Sequence, residues 1–392
     1  MSTAAVRRPL LNRKLEGFGT TIFAEMSALA ARMGAINLGQ GFPDTDGPGE
    51  VTEAARTAIA SGHNQYAPGI GVEALREAIA AHQQRFYGLG FDPEREILVT
   101  TGATEAIAAT ILALCEPGDS VVSFEPYYDS YSASIALAGA EHRVVPLRPP
   151  AWSFDPGQLG EAITDRTRLL LLNSPHNPTG KVFGAEELAT IAAVCVEHDL
   201  IAVTDEVYEH LVFEGGHIPL ATLPGMRERT VTISSAGKTF SVTGWKIGWI
   251  CASAELVTAV RTVKQFLTYA SGTPFQYAIA KGLAMPDAYY GGVAAALRAR
   301  RDQLCDGLEQ AGLEVLRPAA TYFATVDIGS LGYQDGFEFC KDSITRFGVA
   351  AIPTEVFYTD RAAGRHLVRF AFCKRPEVLA EAVARLASFA RH

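Results

Sequence analysis

From Ile97 onward the apolar positions of the chain come in short runs set apart by helix-length stretches. Ile97–Thr100, Val121–Phe124, Val144–Leu147, Arg168–Asn173, Leu200–Thr204 and Thr230–Ser234 are rich in valine, leucine and isoleucine and read as strands. Ala106–Leu114 repeats Ile107, Ile111 and Leu114 at helical spacing, and Ala185–His198 does the same with Leu188, Ile191, Ala192 and Cys195. The run Arg168-Leu-Leu-Leu-Leu-Asn173 is apolar almost throughout, as in a strand covered on both faces. Strands alternating with helices imply right-handed βαβ units and a mainly parallel sheet, hence an α/β fold.

The flanks read differently. Ala24–Met33 is a short helical run, followed by an extended segment, Ile36–Asp44, that ends in glycines and a proline. Glu50–Ser61 and Val72–Phe86 read as helices, the second with Leu75, Ile79 and His82 on one side. Ile247–Cys251 is a strand, Ala254–Leu267 a helix and Thr268–Pro274 a loop. From Ala288 a long helix leads into strand-like runs at Thr321–Ile328, Val349–Ile352 and Leu367–Phe372, with helices at Phe337–Arg346 and Val378–Ala390. The division expected is an N-terminal arm and small-domain segment (1–45), a large domain (46–287) and a smaller α+β domain (288–392).

With 392 residues, 48% of them hydrophobic, the chain is long enough for two domains with real cores. The net charge of −9 argues against a nucleic-acid surface. None of the six cysteines forms a C-x-x-C pair, and most lie in apolar runs, so they read as free thiols of a reducing, cytoplasmic compartment. No apolar run reaches membrane-spanning length, Met1–Arg8 is not followed by a secretory h-region, and no metal site is expected.

Ligands of open α/β sheets bind outside the C-terminal strand ends. Five groups fall there: Thr101–Thr104, Tyr128, Asn173–Asn177, Asp205–Tyr208 and Ser235–Lys238. The turn at Thr101–Glu105 offers free N–H groups to an anion, although Thr104 as a plain helix cap explains it equally. Lys238 ends a buried strand, and burial pushes an amine toward its neutral, nucleophilic form. Ser235 and Lys246 suit a nearby phosphate. A P-loop is excluded because Thr232 stands where its first glycine is required. Arg369 lies inside the apolar strand Leu367–Phe372 and needs an anionic partner, either an internal Asp or Glu or a substrate carboxylate.

Taken together, Asn173-x-x-x-Asn177-Pro-Thr-Gly180, Asp205-Glu-Val-Tyr208, Ser235-Ala-Gly-Lys238 with Lys246 beyond it, and Arg369-Phe-Ala-Phe372 resemble the class I pyridoxal-phosphate aminotransferases of fold type I. The resemblance covers essentially the whole chain. Asn37–Asp44 and Ser234–Phe240 are similar to the kynurenine, glutamine and methionine aminotransferase branch. Glu125–Tyr131, Asn173–Asn177 and Tyr208–Phe213 look most like actinobacterial N-succinyldiaminopimelate aminotransferases. Tyr269-Ala270 departs from the aromatic-histidine pair of the kynurenine type, and Lys246 stands where many relatives carry arginine.

The resemblance implies a cofactor, pyridoxal 5′-phosphate, and a role for each residue. Lys238 would hold the cofactor as a Schiff base and then carry the proton. Asp205 would bond the pyridine nitrogen, Tyr208 and Asn177 the ring's phenolic oxygen, and Tyr128 would stack on the ring. Ala103, Thr104, Ser235 and Lys246 would hold the phosphate, joined by Tyr66 from the other subunit of a homodimer with shared active sites. Arg369 would grip the substrate α-carboxylate, Gly41 would let the backbone come close to it, and Phe23 would meet the side chain. The reaction implied is transfer of an amino group from an amino acid to a 2-oxo acid such as 2-oxoglutarate, with N-succinyl-L,L-2,6-diaminopimelate as one donor. The alternatives are a kynurenine-, glutamine- or methionine-type aminotransferase or a C–S β-lyase.

Overall fold

The computed structural model describes residues 10–19 and 21–387. Met1–Arg8, and the end of the helix expected to reach Ala390, lie outside the described residues.

Seven strands form the main sheet: β1 (Ile97–Thr100), β2 (Ser120–Glu125), β3 (Glu141–Pro146), β4 (Thr167–Asn173), β5 (Ile201–Asp205), β6 (Thr230–Ser235) and β7 (Gly248–Cys251). Their order is β1-β7-β6-β5-β4-β2-β3. β2 to β6 are mutually parallel, whereas β7 runs antiparallel to both its neighbours, β6 and β1. Leu169 to Leu172 are each at most 1% exposed, so β4 is covered on both faces as its composition predicts. The helices Gly102–Leu114 and Ala254–Leu267 cover one face and Ala185–Glu197 the other.

A four-stranded antiparallel sheet is built from Glu314–Leu316, Phe323–Asp327, Ile352–Pro353 and Leu367–Ala371. Ile36–Asn37 pairs in parallel with Val349–Ala350, which ties the N-terminal arm to the C-terminal part. The extended segment expected over Ile36–Asp44 is thus a strand for two residues only.

Several other expectations need correction. The turn at Thr101–Glu105 is a single residue, because the helix already begins at Gly102. Lys238 does not end the strand itself: β6 stops at Ser235, and Ala236–Thr239 forms one helical turn. The loop expected at Thr268–Pro274 ends early, since Thr273–Leu283 is a helix with Pro274 in its first turn, a position that costs no hydrogen bond. Asp129–Ala138 is a helix that its serine-rich sequence did not announce.

The antiparallel strand sets the geometry of the sheet edge. Gly248 opens β7, paired with Ser235 at the end of β6 and Thr100 at the end of β1. A Cβ on Gly248 would lie 2.6 Å from the carbonyl carbon of Gly102 and 2.9 Å from the nitrogen of Ala103. Both are backbone atoms that cannot swing away. Gly248→Ala should therefore cost about 1–3 kcal/mol and lower the midpoint of urea unfolding. A midpoint equal to the parent's would mean that the helix start can shift.

Candidate active site

The C-terminal ends of the parallel strands open on a cavity of about 430 Å³. Thr104, Tyr128, Asn177, Asp205, Lys238 and Arg369 all line it, together with Phe23, Gly41, Ala103, Tyr208, Ser235 and Lys246. Of the residues given a role toward cofactor or substrate in the sequence, Tyr66 stands elsewhere: it is 85% exposed and packs edge-on against Tyr269 at 5.7 Å.

One end of the cavity is built for an anion. The helix Gly102–Leu114 points its N-terminus there, with Ala103 and Thr104 in its first turn and no side-chain cap on its free N–H groups. The N-cap position is Thr101, not Thr104, and its side chain makes no cap. Lys246 adopts a left-handed backbone (φ +55) just before β7, and its Nζ lies 3.2 Å from where a Cβ of Gly102 would stand. An ammonium over a helix N-terminus opposes the helix dipole unless an anion lies between. Lys246 has no ion pair among the described residues.

Lys238 occupies the middle. Its Nζ makes one long contact, 3.5 Å to the Gly41 carbonyl, and lies 5.7 Å and 5.4 Å from the rings of Tyr208 and Tyr322. Burial lowers its pKa to about 8, while Cys373 and Asp205 favour the charged form and Arg369 and Lys246 oppose it. Asp205 is 5% exposed, and burial raises its pKa. Its Oδ2 accepts a 2.6 Å bond from Tyr131, and its backbone carbonyl accepts one from Asn173 at 2.8 Å. Tyr131 was missed in the sequence. It lies on the unannounced helix Asp129–Ala138, one turn beyond the recognised aromatic Tyr128.

Arg369 closes the other end at 1% exposure. No carboxylate pairs with it among the described residues, so the internal salt bridge left open by the sequence is not what holds it. It donates to Asn177 Oδ1 at 3.0 Å and to the Gly39 carbonyl at 3.1 Å, and its Nε has no partner. Its guanidinium lies 3.9 Å over the Phe323 ring and 5.2 Å from both Phe23 and Phe357. Burial lowers its pKa to about 10. Because a guanidinium only donates, it fixes the Asn177 amide with oxygen toward Arg369 and leaves the NH₂ free to donate. Gly41 has a reason of its own to be glycine: a Cβ there would lie 2.4 Å from Phe323 Cζ.

The pattern of the aminotransferase class I and II family matches residues 34–386. The chain belongs to that family. It is 53% identical to a probable N-succinyldiaminopimelate aminotransferase of Mycobacterium tuberculosis, over 96% of this chain and 98% of the relative. A solved structure of the N-succinyldiaminopimelate aminotransferase from that organism superposes with a TM-score of 0.95 at 53% identity, covering 97% of this chain and all of the other. The methionine aminotransferase of Escherichia coli is 42% identical over 95% of this chain and 97% of its own length. The chain is therefore an aminotransferase of fold type I, as its motifs led us to expect.

Outside the cavity, His82, Glu209 and His210 are one group whose residue types could ligate a metal. The two imidazoles bond each other at 2.7 Å, closer than the roughly 3.3 Å between two nitrogens on one tetrahedral zinc ion. Glu209 accepts from Tyr87 at 2.6 Å and from Ser234. Glu209 is thus satisfied by its hydroxyl donors, while His82 Nδ1 is left without a partner among the described residues.

The lowered pKa of Lys238 gives a prediction for the protein without cofactor. Half of an amine with pKa near 8 is neutral at that pH, against under about 1% of an ordinary lysine. Labelling with a small amine-selective reagent, followed by peptide mapping, should show Lys238 reacting fastest. Its rate should climb from pH 6 and level off above pH 9. A rate still rising through pH 10 would contradict the assignment.

Proposed function

We propose that this chain moves an amino group between an amino acid and a 2-oxo acid with pyridoxal phosphate as cofactor, and that N-succinyldiaminopimelate is its amino donor. The observation that carries the reaction class is the pair Lys238 and Arg369, a partly buried and a fully buried cation without a salt bridge among the described residues, on one cavity that also holds Asp205. The donor is supported by the extent of the likeness to the mycobacterial relatives.

The residues fit the cofactor. The capless helix N-terminus, Ser235 and the unpaired Lys246 suit its phosphate, and the buried Asp205 suits a protonated ring nitrogen. Bound there, pyridoxal phosphate supplies an aldehyde that takes up an amine and a ring that accepts the electrons released at the substrate Cα.

The chain's own groups do the rest. Lys238 Nζ, its pKa lowered to about 8, would anchor the cofactor and could afterwards carry a proton to and from carbon. Asp205 would keep the ring nitrogen protonated, and Tyr131 favours the ionised carboxylate, against the effect of burial, by donating to Oδ2. Tyr128 would lie against one ring face, while Tyr208 and the Asn177 NH₂ would donate to the ring oxygen. Arg369 is held with its fork toward the cavity, its aromatic surround excluding the water that would compete with a substrate carboxylate. Phe23 and Gly41 border the same end.

Two copies of the chain would complete the site. Lys264 Nζ donates to the carbonyls of Gly69 and Tyr269, at 3.0 and 2.6 Å, and so joins the two loops that present Tyr66 and Tyr269 outward. An 85% exposed tyrosine on a braced loop suits delivery of a phenol to the phosphate end of a neighbour's cavity.

Three measurements test this reading. A panel of amino acids with 2-oxoglutarate should give the highest kcat/KM for N-succinyldiaminopimelate; a preference for methionine or kynurenine would reassign the donor, and pyruvate with ammonia as products would indicate a β-lyase. Arg369→Lys keeps the charge but loses the fork, so kcat/KM should fall by about 2–4 kcal/mol with the cofactor spectrum unchanged. Mixing inactive Lys238→Ala and Tyr66→Asp subunits should restore about a quarter of parental activity, since half the dimers are mixed and each has one whole site. Mixed dimers that stay inactive would place Tyr66 within its own subunit's chemistry.

A further inference from the structure

Behind the cavity wall stands a tyrosine that the sequence did not single out. Tyr322 is 1% exposed and is not among the cavity-lining residues. Its hydroxyl donates a 2.5 Å bond to the Gly41 carbonyl, the same oxygen that Lys238 Nζ approaches at 3.5 Å. One carbonyl therefore faces two donors, and the phenol holds it at contact length while the amine sits at the limit of a hydrogen bond. An oxygen already polarised by a short O–H donor attracts a second donor less strongly.

This arrangement includes a strained backbone residue held by its hydrogen bonds. Thr321 is fully buried with φ +70, a left-handed conformation that a β-branched residue adopts only under constraint. Its N–H donates to the Leu211 carbonyl at 2.8 Å, and its Oγ1 accepts from the Phe323 N–H at 3.2 Å. The kink turns Tyr322 onto the Gly41 carbonyl and Phe323 into the space a Cβ of Gly41 would need. A single strained residue thus sets the support of Lys238 and, through Phe323, the aromatic floor of Arg369.

We propose that Tyr322 is a positioning residue for Lys238: by occupying the Gly41 carbonyl, its phenol denies the lysine a strong acceptor and keeps the amine ready to lose its proton. This rests on the reading that Lys238 is the amine that takes the cofactor. The other groups acting on Lys238 are Asp205 and Cys373, which favour its charge, and Arg369 and Lys246, which oppose it; Tyr208 and Tyr322 present their rings. Without the Tyr322 hydroxyl, Gly41 O would be free for the amine. A charged donor gains more from that bond than a neutral one, so the charged form is favoured and the pKa rises.

The test uses protein freed of cofactor and measures, by stopped-flow absorbance, how fast pyridoxal phosphate becomes linked. The amine nitrogen adds to the aldehyde carbon and water leaves, so the rate follows the neutral fraction of Lys238. The parent should show a midpoint near pH 8. Tyr322→Phe should move the midpoint up by about one unit, slowing linkage about tenfold at pH 7 while the rates converge above pH 10. An unchanged midpoint, or a uniform loss at every pH, would overturn the proposal, because a merely structural tyrosine would give one of those. Should Tyr322→Phe fail to fold, 3-fluorotyrosine at position 322, a stronger donor of nearly the same shape, should move the midpoint down, and no movement would overturn the proposal. If the parent forms no link, or Lys238→Ala forms it equally well, the reading of Lys238 itself fails, which these arms keep distinct from a failure of Tyr322.

Discussion

One cavity of this protein holds two cationic side chains, the partly buried Lys238 and the fully buried Arg369, without a salt bridge to either among the described residues. Burial penalises both charges, lowering one pKa to about 8 and the other to about 10. A fold keeps such groups only when something else compensates. For Arg369 the compensation is partial: two neutral acceptors, three aromatic rings and an Nε left without a partner. For Lys238 it is partial too, one long contact to a carbonyl and the field of Asp205. The site is thus built around charge that a ligand completes, and the neighbouring features follow from holding that charge in place.

The holding is done from several directions by elements far apart in sequence. The parallel strands deliver Asn173, Asp205 and Ser235 to one edge. The reversed strand β7 adds Lys246 to it, at the start rather than the end of a strand. The small antiparallel sheet supplies Arg369 and Phe323 from adjacent strands in register two residues apart, since Thr325 pairs with Arg369. The N-terminal arm brings Phe23 and Gly41, anchored by the short pairing of Ile36–Asn37 with Val349–Ala350. A cavity walled by both sheets lies where ligand pockets preferentially occur, between two parts of a chain.

The parallel core was legible because its period is strong: four consecutive leucines in β4 and repeated apolar stripes on the helices leave little choice. The cavity residues were legible because chemistry restricts their types, a lysine or arginine in an apolar strand being costly without a purpose. What stayed hidden had weaker local signals. The helix Asp129–Ala138 begins Asp-Ser-Tyr-Ser, residues that favour turns as readily as helix starts, and so Tyr131 escaped notice as the partner of Asp205. The Thr273–Leu283 helix was hidden by Pro274, which marks a first turn as often as a break. Tyr322 looked like one aromatic among many, because its role depends on the conformation of Thr321, which no residue pattern reveals.

The most direct test of the account is to add pyridoxal phosphate to the purified protein, reduce it with borohydride and map the resulting covalent label by peptide mass. The account predicts one label per chain, on Lys238. A label on Lys246 or on any other lysine would contradict it, because the Lys238 amine would then not be the group around which the cavity is arranged.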